Sequence, residues 1–108
     1  MNERAPLAAI ALILVVAATG ASRAQETGDV RHGQMLAQMS CAECHAIGKA
    51  QLRSRNGSAP TFVALANTPG MNAMDIRVAL RTSHREMPNL SLTNAQVEDV
   101  AAYILSLK

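Results

Sequence analysis

Cys41-Ala42-Glu43-Cys44-His45 holds both cysteines of the 108-residue chain and one of its three histidines within five positions. On a helical turn, positions i, i+3 and i+4 share a face, so this spacing sends both thiols and the imidazole to the same side. Upstream, a first helix is predicted from after Gly28 or Asp29 through Met39, with Asp29 at its positive end and Met35, Leu36 and Met39 on one side. Gly33 costs that helix about 1 kcal/mol relative to Ala. Such a residue is worth keeping where another backbone or ring must approach, and Tyr103 is the candidate neighbour. Downstream, Gly48 to Pro60 and Thr82 to Ser91 read as loops. A helix from about Asn72 to Arg81 presents either Met74, Val78 and Arg81 or Ile76, Ala79 and Leu80 as its apolar face.

The last helix is the best defined. Thr93-x-x-Gln96 has the form of a capping box, with Leu92 and Val97 placed to form the hydrophobic staple around it. Val97, Val100, Ala101, Ile104 and Leu107 then make one apolar stripe, opposite Glu98, Asp99 and Ser106. Apolar residues recur at helical rather than alternating spacing throughout, so the fold class is all-α.

Apolar residues make up 49% of the chain, but the run from Leu7 to Ala18 supplies much of that fraction. Arg4, this run, and the small residues Ser22 and Ala24 have the layout of a secretory signal over residues 1–24, cleaved after Ala24. A membrane anchor wants about 20 apolar residues, more than this run offers between Pro6 and Gly20. The remaining domain, 25–108, carries eight basic and seven acidic side chains, a balance that does not suit a nucleic-acid binder. Its only aromatic residues are Phe62 and Tyr103. A domain this small and this poor in large side chains needs a staple or a filler. Cys41 and Cys44 are the only candidates to provide one, and export places them in an oxidising compartment.

C-x-x-C-H is the pattern of covalent haem attachment, in which the thiols form thioethers to the porphyrin edge and the imidazole takes an axial position on iron. The competing readings are weaker. A thioredoxin-like dithiol needs a βαβ context, a structural zinc needs a second ligand pair, and a Cys41–Cys44 disulfide closes too short a loop to stabilise much. For the sixth position on iron the candidates are His32, His84, Met35, Met39, Met71, Met74 and Met87. Met35, Met39, Met71 and Met74 read as core filler and His32 as a surface residue. Met87 stands in an unpatterned loop with Pro88 restraining it, and His84 is its rival three residues earlier.

Over nearly the whole of 25–108 the sequence resembles a class I c-type cytochrome of the small, exported bacterial kind. The resemblance rests on Gly33 in the first helix, Cys41-Ala42-Glu43-Cys44-His45, Ala59-Pro60, Met87-Pro88-Asn89 and the closing Val100-Ala101-Ala102-Tyr103-Ile104-Leu105-Ser106-Leu107. It implies a cytochrome c fold, three to four helices wrapped around one covalent haem with the first and last helices crossed. It implies Met87 as the distal ligand, and Pro60 as the residue whose carbonyl accepts the proximal imidazole's other N–H. The chain departs from the family in lacking a tryptophan for a haem propionate, a role open to Arg53, Arg55, Ser58 or main-chain donors. It also lacks the lysine ring of the mitochondrial protein.

The expected function is a soluble periplasmic carrier of single electrons, monomeric, exchanging with a donor and an acceptor among dehydrogenases, oxidases or reductases. The alternatives are a cytochrome subunit of a dehydrogenase or oxidase complex, and a gas-sensing haem protein with a vacant sixth position. No paired carboxylates, activated nucleophile or phosphate loop suggests catalysis by this chain.

Overall fold

The computed structural model describes residues 28–82 and 86–108. The predicted leader, 1–24, lies outside the described residues, as does His84. Four helices follow in order: α1 (Val30–Ser40), α2 (Phe62–Ala66), α3 (Ala73–Arg81) and α4 (Asn94–Leu105). No strand occurs among the described residues, and none of their helices is long and apolar enough to cross a membrane. The all-α expectation holds.

Each helix start is written in a polar side chain that takes up otherwise unpaired amide hydrogens. Asp29 Oδ1 accepts from the N–H groups of Arg31 and His32 at 2.8 and 3.0 Å. Thr61 caps α2, a five-residue helix that the sequence reading did not assign. Asn72 and Asp75 form a reciprocal capping box at α3, and Thr93 and Gln96 form the expected one at α4.

The core sits where α1 crosses α4, with α2 and α3 packed on the same last helix. Gly33 is the crossing point. A β-carbon placed there would lie 1.9 Å from the Asp99 carbonyl oxygen and 2.9 Å from Tyr103 Cβ. The predicted neighbour of Gly33 is therefore correct, and the last helix's backbone lies closer still. Gly28, just before the Asp29 cap, allows the same close approach: its φ is +128°, and a β-carbon there would meet the Glu98 carbonyl at 2.2 Å.

This crossing corrects the assignment of the methionines. The buried residues of α1 are Gly33, Leu36 and Ala37, so Met35 and Met39 turn outward, 55% and 81% exposed. On α3, Ile76 faces the core while Met74 and Val78 face solvent. Of the four methionines expected as core filler, only Met71 packs against the core.

Glu98 and Asp99 also differ from a plain solvated face. Glu98 pairs with Arg77 on α3 at 2.6 Å. Asp99, its side chain only 13% exposed, accepts the Asp29 N–H at 2.7 Å through Oδ1 and meets His32 Nδ1 at 2.5 Å through Oδ2. His32 is thus on the surface, as expected, but bound to α4. The Asp29 amide, opposed by partial burial and assisted by His32, holds the Asp99 carboxyl below its ordinary value.

Two outcomes follow from this packing. Gly33→Ala forces the helices apart, an overpacking cost of about 2 kcal/mol; thermal melting of the haem-loaded variant should fall by about 10 °C. Asp99 binds a proton less readily folded than unfolded, so its contribution is complete above about pH 4 and is lost as pH falls through the lower folded value. Denaturant melts between pH 5 and pH 2 should show stability falling less steeply in Asp99→Asn than in the parent.

Candidate functional site

The cysteine motif begins where α1 ends. Cys41 is the C-cap, its N–H bonded to the Ala37 carbonyl at 2.8 Å, and one further turn carries Cys44 N–H and His45 N–H back to the Cys41 carbonyl at 3.1 and 2.9 Å. The turn places Cys41, Cys44 and His45 on the wall of one cleft of about 350 Å³. Its lining is mostly apolar, including Phe62, Leu65, Met71, Ile76, Leu80 and Ile104, and the loop bearing Met87 and Pro88 contributes to the same cleft. A volume of this order suits a cofactor site.

The chain after the motif is pinned residue by residue. His45 Nδ1 lies 2.6 Å from the Pro60 carbonyl. A carbonyl only accepts, so Nδ1 carries the proton and Nε2 keeps its lone pair. Ala46 receives the Phe62 N–H at 2.9 Å and donates its own N–H to Ser54 Oγ at 3.0 Å. The Ile47 N–H donates to Gln51 Oε1 at 2.9 Å, and its carbonyl accepts the Tyr103 hydroxyl at 2.6 Å. The Phe62 ring leans on the His45 imidazole, centroids 5.4 Å apart, and Tyr103 leans on Phe62 at 6.3 Å.

Burial against the apolar cleft pushes the Cys41 thiol up to about 11. Cys44 is half-buried, and neither cysteine is in a disulfide. Of the predicted residues, the structure brings Cys41, Cys44, His45, Pro60 and Met87 to one cleft; Ser58 lines it too, whereas Arg53 and Arg55 are exposed and do not. Phe62, Ser54, Asn56 and the Tyr103 hydroxyl were missed as supports of the motif. Asn56 also lines the cleft, and its N–H donates to the Cys44 carbonyl at 3.1 Å. Phe62 had one signal, as one of only two aromatic residues in the chain.

Residues 28–104 match the family described as "Cytochrome C oxidase, cbb3-type, subunit III". The chain belongs to this cytochrome c family. It is also 32% identical over 102 residues to cytochrome c-552 of Bradyrhizobium diazoefficiens, covering 94% of this chain and 95% of the relative. No solved structure matches. This small c-type cytochrome is an electron-transfer protein whose cofactor is covalently bound haem c with iron, and it works with redox partners.

The cleft suits that group on its own chemistry: two thiols and an imidazole with a free nitrogen lone pair line an apolar wall, next to a thioether-bearing loop. The same fit explains the shortage of aromatic residues in the core. A Cys41→Ala, Cys44→Ala double variant, unable to hold haem covalently, should be isolated without it and show no cooperative helical melt by circular dichroism.

Proposed function

We propose that this cytochrome is a soluble, monomeric periplasmic carrier of single electrons, with the haem joined through Cys41 and Cys44 and its iron held between His45 and Met87. Residues 1–24 are the export signal and 25–108 the mature domain in this reading. The observation that carries it is the Nδ1–H of His45 held by the Pro60 carbonyl in a cleft that Met87 also lines. That hydrogen bond fixes the ring's orientation, leaves Nε2 as the donor atom, and raises its basicity. When bound, haem supplies a one-electron ferrous/ferric couple.

The chain's own residues do the rest. Pro60 and Phe62 hold the imidazole from its edge and its flank. Phe62, Leu65 and Ile76 keep water from the cleft wall. Pro88 restrains the backbone of Met87, whose soft thioether favours reduced iron over a second imidazole's preference. With His45 and Met87 both holding the iron, the group would supply one-electron exchange rather than a binding position for gases or substrates.

A second reading, a cytochrome subunit of a dehydrogenase or oxidase complex, draws on the oxidase-subunit description of the matching family. It keeps the same residue roles and differs only in whether the protein is isolated alone or with a larger enzyme.

The test is an optical spectrum of the purified protein in both redox states. The far-red band typical of sulfur on ferric iron should be present, should vanish in Met87→Ala, and should persist in His84→Ala. The reduced parent should bind carbon monoxide slowly and Met87→Ala rapidly. Survival of the band in Met87→Ala, or rapid binding by the parent, would reject Met87 as the ligand.

A further inference from the structure

The crossing at Gly33 turns a line of unused donor groups outward. His32, Met35 and Met39 stand at i, i+3 and i+7 of α1, a set that falls on one side of a helix. All three are open to solvent: His32's side chain is 46% accessible, and the two methionines, a residue type usually buried, have the exposures that removed them from the core. Long side chains on a helix lean toward its N-terminus, so Met39 leans over Met35 and Met35 over His32. Each neighbouring pair is separated by about 5–6 Å between β-carbons, within reach of a shared ion.

His32 is also prepared as a donor. Its Nδ1 is engaged by Asp99 Oδ2 at 2.5 Å, and Asp99 is itself anchored by the Asp29 amide. A histidine held by a carboxylate through one nitrogen presents the other to solvent with its orientation fixed, the arrangement common to metal-ligating histidines. His32 and Met35 line a shallow surface depression together with Asp29 and Arg31.

We propose that the outer face of α1 is a soft-metal site in which His32 Nε2, Met35 Sδ and Met39 Sδ bind one monovalent copper ion. Two thioethers and an imidazole select Cu(I) over hard or borderline divalent ions. The charge at the site agrees. Asp29 Oδ1 already accepts the Arg31 and His32 amides, Asp99 is engaged on both oxygens, and Arg31 adds a positive charge beside the depression. A single-charged ion with thioether ligands suits this setting better than Zn²⁺, which takes four ligands from thiolate, imidazole and carboxylate, or Ca²⁺, which takes several oxygens.

The experiment uses the haem-loaded, reduced protein under anaerobic conditions, titrated with Cu(I) against a competing chelator and, in parallel, with redox-inert Ag(I) while the methionine methyl signals are followed by NMR. One equivalent of Cu(I) should leave the chelator, and Ag(I) should shift the Met35 and Met39 methyl signals. Met35→Leu/Met39→Leu should weaken binding at least about tenfold and His32→Gln by a similar factor, with the haem spectrum unchanged. Failure to draw Cu(I) from the chelator, undiminished binding by the double leucine variant, or shifts confined to Met71 or Met74 would overturn the site. None of these outcomes bears on whether Met87 ligates iron, because that ligation is read from the haem spectrum.

Discussion

Where α1 crosses α4 there is no room for a β-carbon, and most of the architecture follows from that close approach. With Gly33 lying against the Asp99 carbonyl, Leu36 and Ala37 are directed into the core, and the helix delivers Cys41 to the cleft at its end. The same approach brings Tyr103 alongside α1, from where its hydroxyl reaches the main chain just beyond the motif. The helix crossing and the cofactor cleft are therefore one packing unit.

The polar groups around the crossing strengthen it in a way that apolar contact alone does not. Asp99 accepts from the backbone at the start of α1 and from His32 one turn later, so a single carboxylate joins the two helices at two points. Arg77 and Glu98 tie α3 to the same last helix, and the Arg81 guanidinium donates to Asn94 nearby. Exposed pairs of this kind contribute little each, but Asp99 is mostly shielded from solvent and is worth more. Among the described residues no charged side chain is fully buried.

Legibility from sequence tracked how local each signal is. The cap of α4 was readable because Thr93 and Gln96 state it within four residues, and the cysteine motif because its chemistry is contiguous. α2 spans five residues, too few for periodicity to appear. The face of α1 was misread because Met35, Leu36 and Met39 are its large apolar side chains, whereas Gly33 and Ala37, which share the buried face with Leu36, are small. The Pro60 carbonyl is a main-chain group with no residue signature of its own, so only the family resemblance pointed to it. Tyr103 meets Ile47 across 56 positions and also through a main-chain carbonyl, which no pattern of side chains announces.

The pinning of residues 45–47 bears on speed as well as stability. His45, Ala46 and Ile47 are each held by hydrogen bonds from a different part of the chain: Pro60, Ser54 and Phe62, and Gln51 and Tyr103. In the ligation proposed above, His45 would hold the iron through a nitrogen that the Pro60 and Phe62 contacts leave little freedom to move. Preorganised groups of this sort need not rearrange at the moment of reaction. If His45 ligates the iron as proposed, this preorganisation would favour a small inner-sphere reorganisation energy and so electron exchange at a small driving force.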